Sequence, residues 1–258
     1  MSSGIDKISS DTAFIVVSCD KYSDLWGPFF KCFAKYWPDC PFDKYLVSNH
    51  QDFAEEGLDV LKIGEDMSYS DNLRLALSKI DHEWVILWLD DVFVSRQVNT
   101  NRLLHILDYA KHIGAGYLKL AADMPMAYVG DLGEEIGPLP KGIKYRSAIG
   151  VTFYRKTTLL NLLTPNSNAW ELDRSDIADT LDEPFYALTP RASKHPPIGY
   201  VHLLVKGRWL PEALPFLRKE EFTDLIKLRE TQTLGSVLYA KLYLARLSLL
   251  RLLKIYWR

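Results

Sequence analysis

The sequence contains no run approaching the roughly 18 uninterrupted apolar residues of a membrane-spanning helix. Its opening stretch, MSSGIDKISSD, also lacks the apolar core of a secretory signal. The expectation is a protein of the cytoplasmic side. Basic excess is missing too: 31 lysines and arginines face 33 acids, for a net charge of -2. A function that rests on whole-molecule attraction to nucleic acid is excluded by that balance, and no nucleic-acid partner is expected. Cysteine is scarce. Cys19, Cys32 and Cys40 are odd in number and lack the paired short spacing of a zinc knuckle, so they read as reduced thiols. No internal repeat is found. What is present is 258 residues, 48% of them hydrophobic, enough to bury the core of one large domain.

The first half alternates two periodicities. AFIVVS (13 to 18) is β-branched and bounded by polar residues, as a buried strand would be. LWGPFFKCFAKYW (25 to 37) places Trp26, Phe29, Phe30, Phe33 and Trp37 three and four apart on one helical face, and Pro38 ends it. KYLVSN (44 to 49) and LDVLKIG (58 to 64) read as two more strands. SDNLRLALSKI (70 to 80) reads as a helix capped by Ser70 or Asp71. WVILWL is the next strand and NTNRLLHILDYAKHIG (99 to 114) the next helix, closed by Gly114. Such alternation predicts an α/β fold around a mostly parallel sheet covered on both faces. From about residue 115 it weakens. GAGYLKLAA can form a strand, a long Pro- and Gly-rich loop follows, YRSAIGVTFYRKTTLLNLL reads as a strand entering a helix, and HPPIGYVHLLVKGRW as a final strand with a basic exit.

The apolar run WVILWLDDVFV (84 to 94) carries two adjacent carboxylates, Asp90 and Asp91. Like charges placed together repel unless a cation, an arginine or water compensates. An ordinary account lets Asp91 face water and Asp90 meet a basic neighbour. The functional account uses the rule that ligands of open α/β sheets sit beyond the carboxyl ends of the strands. There the pair would hold Mn²⁺ or Mg²⁺, which takes one or two carboxylates plus substrate phosphates.

In this order, FIVVSCDKYSDLW, YLVSN, SDNLRLAL and VILWLDDVFV resemble the nucleotide-binding half of the GT-A glycosyltransferases, in particular bacterial enzymes of surface-polysaccharide assembly such as lipopolysaccharide and capsule. The resemblance implies a GT-A-like, Rossmann-type single domain over about residues 1–212, with a nucleotide-sugar half at 13–112 and an acceptor half at 113–212. Residues 213–258 would form a helical C-terminal extension. It implies that Ser18 and Asp20 meet the nucleoside, that Asn49 follows the second strand, that Asp71 or Asn72 lies near the donor, and that Asp90 and Asp91 are the acidic motif. The usual motif is Asp-x-Asp. Here Val92 stands third after Asp90 and Leu89 first before Asp91, so only an adjacent pair remains and metal dependence is open.

An inverting transfer needs a carboxylate to take the acceptor's proton. NSNAWELDRSD (166 to 176) offers Glu171 first and Asp173 second, with Trp170 beside them to pack on a sugar face. The competing account is helix capping by Asp173 or Ser175, with Glu171 favouring the N-terminal dipole. His202 matches the late histidine that many GT-A enzymes use as an additional metal ligand, although a histidine in an apolar strand is commonly a core residue. Lys206 and Arg208 follow it, placed either to hold a diphosphate or simply to be solvated.

The last segment, TLGSVLYAKLYLARLSLLRLLKIYWR (233 to 258), has no acidic residue. At 100° per residue Arg251, Lys254 and Arg258 share a side, Arg246 flanks it and Lys241 lies off it. This basic amphipathic helix suits an anionic membrane surface, with the domain body or a partner subunit as the alternative. The function expected is a peripheral-membrane glycosyltransferase that moves a sugar from a nucleotide donor, a UDP-sugar, to a hydroxyl of a saccharide or lipid-linked saccharide. Two other readings stay open: a nucleotidyltransferase on a related sheet, and a non-catalytic membrane-associated assembly protein.

Overall fold

The computed structural model describes residues 10–120, 135–174 and 176–253. Among them the strands are β1 (Thr12–Val17), β2 (Asp43–Ser48), β3 (Leu58–Lys62), β4 (Trp84–Leu89), β5 (Val92–Arg96) and β6 (Tyr117–Lys119). They continue with β7 (Ile136–Pro138), β8 (Thr152–Arg155), β9 (Phe185–Leu188), β10 (Gly199–His202), β11 (Leu204–Val205) and β12 (Arg208–Trp209). The helices are α1 (Ser23–Tyr36), α2 (Tyr69–Leu77), α3 (Thr100–His112), α4 (Lys156–Leu162) and α5 (Ala169–Arg174). After these come α6 (Pro190–Ser193), α7 (Leu214–Lys219), α8 (Thr223–Ile226) and α9 (Leu234–Leu252).

All of β1 is buried, and its residues divide by parity. Phe14 and Val16 enter one apolar core, Ala13, Ile15 and Val17 the other. β4 does the same with Trp84, Ile86 and Trp88 against Val85 and Leu87. Side chains of a strand alternate faces, so two apolar faces demand two covering layers. α1 and α3 supply the first layer through residues such as Phe29, Phe33, Leu103 and Leu107. α2, α4 and α5 supply the second through Leu73, Leu77, Leu159 and Leu172.

Eight strands form the central sheet in the order β3-β2-β1-β4-β8-β6-β9-β7. β3, β2, β1 and β4 are mutually parallel; β8 turns antiparallel between β4 and β6, β9 is parallel to β6, and β7 is antiparallel to β9. This is the α/β architecture with a mostly parallel sheet that the alternation predicts.

The boundaries differ in instructive ways. α2 begins earlier than expected: its cap is Ser68, whose Oγ accepts the Asp71 N–H at 3.1 Å, while Ser70 and Asp71 sit inside the first turn. Asn99 caps α3 and Gly114, at φ +74°, ends that helical segment. The run at 84 to 94 holds two strands instead of one, because the chain leaves the large sheet after Leu89 and enters a two-stranded antiparallel sheet of β5 with β10. The expected final strand at 195 to 209 is likewise divided into β10 and the β11–β12 hairpin. Most of the loop after residue 122 lies outside the described residues, and its end forms β7.

Packing of the main body does not stop at residue 212. Leu217 and Leu225 are buried in the first core, and the buried Glu220 takes hydrogen bonds from Lys35 Nζ at 2.6 Å and Tyr36 Oη at 2.5 Å. α7 and α8 thus belong to the first core, and α9 meets the body through a smaller cluster. Leu247 packs with Tyr145 and Ala148, and the Tyr145 and Tyr243 hydroxyls lie 2.8 Å apart. The outward side of α9 shows Leu238, Tyr239, Leu242 and Leu249 together with Lys241 and Arg246, and Leu253 just past its end is exposed too. Arg246 thus stands among exposed leucines. Lys254, Trp257 and Arg258, and the side chain of Arg251, lie outside what the structure describes. No helix among the described residues is long and apolar enough to cross a membrane.

Candidate functional site

β1 and β4 run parallel and end together, and the turn that follows β4 is Asp90–Asp91. Three hydrogen bonds fix this turn, two between backbone groups and one from a side chain. The Asp90 N–H reaches the Val17 carbonyl at 3.3 Å, the Leu203 N–H reaches the Asp91 carbonyl at 2.8 Å, and the buried Trp88 indole donates to the Val92 carbonyl at 2.5 Å. Asp90 is thereby tied to the large sheet and Asp91 to the segment that follows β10. Beyond them opens a cleft of about 450 Å³, walled by the ends of β1 and β4, by the start of α2 and by Asn168 ahead of α5.

The two carboxylates face different partners. Asp90 is buried and accepts a hydrogen bond from Ser18 Oγ, which itself accepts from Trp26 Nε1 at 2.7 Å. Burial and then the Asp91 charge push the Asp90 carboxyl well above the usual carboxylate range, against the Ser18 bond and Arg229. Burial raises Asp91 as well, opposed by the His202 charge. His202 pairs in register with Val92, the residue after Asp91. Arg229 does not neutralise Asp90, because its guanidinium forms a two-pronged pair with Asp24, with the Nη2 bond at 2.7 Å, between the rings of Tyr22 and Trp209. The cleft floor therefore holds two adjacent carboxyls whose full ionisation burial disfavours.

No group of three or more His, Cys, Asp or Glu side chains arranged to hold a metal occurs among the described residues. A divalent cation that arrives on a diphosphate needs only one or two carboxylates from the protein. Asp91, the more accessible of the two carboxylates in the cleft, fits that second kind of cation site.

No family model matches the chain, and neither does any curated protein. Solved structures do resemble it. Residues 1–349 of S. aureus TarS are 13% identical, with a TM-score of 0.44 over 70% of this chain and 58% of that one. Longer S. aureus TarS is 12% identical, with a TM-score of 0.46 over 82% and 39%. The bifunctional IspDF from Campylobacter jejuni is 13% identical, with a TM-score of 0.40 over 72% and 51%. The chain thus spans less than two thirds of each of these proteins, and its functional reading rests on the cleft's own residues.

Of the residues singled out in the sequence, Ser18, Asn72, Asp90 and Asp91 line the cleft. Asp20 does not. Its carboxylate accepts the N–H groups of Asn49 at 2.9 Å, His50 at 3.0 Å and Gln51 at 3.3 Å, and its own N–H returns to Asn49 Oδ1 at 3.1 Å. Asn49 completes the knot through its Nδ2 bond to the Gly64 carbonyl at 3.0 Å. These two staple the loops after β1, β2 and β3 instead of facing a ligand. Asp71 similarly bridges α2 to the loop before α5, accepting from Ser68 Oγ at 2.5 Å and the Asn166 N–H at 3.0 Å, and those bonds hold its carboxyl below the usual range.

Glu171 and Asn168 form a reciprocal capping box, with bonds of 2.8 and 3.0 Å, which satisfies orphan N–H groups at the start of α5. Asn168, not Glu171, reaches the cleft. Asp173 accepts the Ile149 N–H at 2.7 Å and bears electrostatically on the Tyr69 phenol in the cleft wall. Lys206 and Arg208 do not follow a final strand. Lys206 and Gly207, both at positive φ, make the two-residue turn between β11 and β12, as such hairpins require. Arg208 is exposed and pairs with Glu230 at 3.1 Å. Cys19 lines the cleft, but burial raises its thiol, which removes the thiolate a nucleophile needs.

Sequence reasoning passed over Trp26, Ser68, Tyr69, Asn168 and Arg229. Ser68 and Asn168 carried a readable signal, since each precedes an acidic residue by three positions, the spacing of a cap. Arg229 carried none, lying 205 positions from its partner Asp24.

Proposed function

We propose that this chain is a nucleotide-sugar-dependent glycosyltransferase, taking a hexosyl group from a UDP-sugar to a hydroxyl of a lipid-linked saccharide in surface-polysaccharide assembly. The observation that carries the reading is the Asp90–Asp91 pair, Asp90 buried and Asp91 half-buried, on the floor of a cleft at the carboxyl ends of parallel strands. A diphosphate that brings Mn²⁺ or Mg²⁺ supplies the positive charge this floor lacks. Asp91 and His202 would hold the cation, which when bound offsets charge building on the leaving diphosphate. Asp90, locked by Ser18 and Trp26, positions the turn and adds negative potential. For an inverting transfer the candidate bases are Glu171 and Asp173, each of which also accepts a backbone N–H, from Asn168 and from Ile149. Trp170, 52% exposed at the start of α5, offers a face to the acceptor sugar.

Thermal unfolding with nucleoside diphosphates, with and without Mn²⁺, tests this first. UDP with Mn²⁺ is expected to raise the melting temperature by several degrees, since a ligand at one hundred times its Kd adds about 2.7 kcal/mol. A transferase then releases UDP from UDP-GlcNAc, whereas a nucleotidyltransferase releases pyrophosphate from UTP. No response to any nucleotide would leave the non-catalytic reading.

The membrane side of the proposal rests on α9. Exposed leucines share its outward side with Lys241 and Arg246, and the segment from 233 to 258 carries five basic and no acidic residues. That charge fits anionic lipid on the inner face of the cytoplasmic membrane. The chain is expected to sediment with phosphatidylglycerol vesicles and not with phosphatidylcholine vesicles, and Leu242→Glu with Leu249→Glu should abolish binding. Equal partition onto both vesicle types, or none, would contradict it.

A further inference from the structure

A second hollow, of about 260 Å³, shares no lining residue with the cleft; its wall includes Lys144, Tyr145, Arg146, Arg174, Asp176 and Asp179. Sites for drug-sized ligands hold roughly 300–1,000 Å³, so this hollow suits a headgroup and not a nucleotide. Two of its charges are spent on the fold. Arg146 is buried, donates to the Leu139 carbonyl at 3.2 Å and to the Ala178 carbonyl, and stacks 4.3 Å from the centre of the Phe185 ring. Asp179 accepts the Gly142 N–H at 2.8 Å and lies 3.7 Å from Arg146. The other charges of the wall are the half-buried Lys144 and the exposed Arg174 and Asp176, two cations to one carboxylate. Tyr145 beside them holds φ +63°, a left-handed backbone that a bulky aromatic rarely adopts, so the fold keeps its ring there against local preference.

The same residues meet α9. The Tyr145 and Tyr243 hydroxyls lie 2.8 Å apart, and Lys144 Nζ sits 5.6 Å from the centre of the Tyr145 ring and 6.0 Å from that of Tyr243. Burial raises the Tyr243 phenol, yet the Tyr145 bond and the Lys144 and Arg174 charges outweigh it and leave the group below its usual range. Surroundings that favour a phenolate favour other anions. Close by in α9, Leu242 and Leu249 are exposed. An anion held here would sit where a basic pocket adjoins an exposed apolar helix, an arrangement that a phosphate carried by a lipid satisfies. We infer that this hollow beside α9 binds the phosphate group of a membrane lipid, with Lys144 and Arg174 as its charge partners. The anion site stands on the hollow's own residues, and its lipid source rests on the membrane reading of α9 given above.

The test is flotation with phosphatidylcholine vesicles that carry either phosphatidylglycerol or polyprenyl phosphate at equal negative charge. Lys144→Gln and Arg174→Gln should each weaken vesicle binding by about tenfold or more, the loss of a charge-assisted hydrogen bond. Lys241→Gln removes the same charge from the outward side of α9 and should cost about fivefold or less, the effect of one basic residue near an anionic surface. That difference on both lipids makes the source the bulk headgroup; confined to polyprenyl phosphate, it makes the source the phosphate of a lipid-linked acceptor. Equal losses in all three variants overturn the inference and leave the membrane reading of α9 standing, since charge alone then accounts for binding. A wild-type protein that floats with neither vesicle overturns both, and binding of dissolved glycerol 1-phosphate that is lost in the Lys144 and Arg174 variants would then mark a soluble phosphate ester instead.

Discussion

Asp91→Asn is expected to abolish sugar transfer while making the free protein more stable. The side chain keeps its shape and loses its charge, so the variant removes half of a repelling pair from a buried turn already held by the Asp90, Leu203 and Trp88 bonds. Relief of that repulsion should raise the melting temperature, by about 2–4 °C for each kcal/mol in a chain of this size. Transfer should fall by about 10²–10³-fold or more, the scale seen when one preorganised electrostatic group is lost. Metal-dependent UDP binding should fall with it. Asp173→Asn should also stop transfer but leave UDP binding intact, because it faces the acceptor step. Steady-state transfer assays paired with thermal melts decide the matter. A variant at position 91 that melts lower and turns over normally would show that the carboxylate belongs to the structure and not to a ligand.

Between the ordinary carboxylate range, about pH 4, and the raised range of the acidic pair, the free protein should lose stability as pH rises. The folded chain keeps a proton on Asp90–Asp91 that unfolded aspartates would release, because burial raises both groups and the Asp91 charge raises Asp90 further. More protons bound in the folded state means that stability declines with pH across that window and levels off above it. Below about pH 4 the sign reverses, since Asp71, Glu135, Glu220 and Asp224 have lowered values and lose their hydrogen bonds or ion pairs on protonation. Saturating UDP and Mn²⁺ should flatten the decline by favouring the doubly ionised pair. Melting temperatures from pH 4 to 9 for wild type, Asp90→Asn and Asp91→Asn give the comparison. Parallel curves for all three would contradict the buried-pair account.

Elements with one clear period were legible in the sequence. The aromatic spacing of α1, the β-branched run of β1, the apolar run of β4, and the Asn99 and Gly114 punctuation of α3 each lead to the element observed, and the run WVILWLDDVFV puts the acidic pair at a strand end. The small sheet was hidden because Val92, Phe93 and Val94 are as apolar as the residues before Asp90, so composition gives no sign that the chain changes sheets there. Lys206–Gly207 is a hairpin signal that the neighbouring positive charges obscured. Chemistry was harder than architecture for a related reason. A carboxylate needed to close a loop, like Asp20, or to complete a cap, like Glu171, is the same residue type as one offered to a ligand. Only its hydrogen-bond partners tell the two uses apart.

The pairing of Asp24 with Arg229 has a consequence for synthesis. The residues are 205 positions apart, yet their bond fastens the start of α1 to the hairpin segment beside Tyr22 and Trp209, next to the cleft. A chain emerging from the ribosome can complete β1 to β4 early, but this wall closes only after Arg229 has been made. Such long-range closure is slow by nature, because loop entropy is lost before the contact rewards it. The amphipathic α9 is translated last of the described elements. The cleft wall is therefore completed only shortly before the segment proposed to bring the protein to lipid is made.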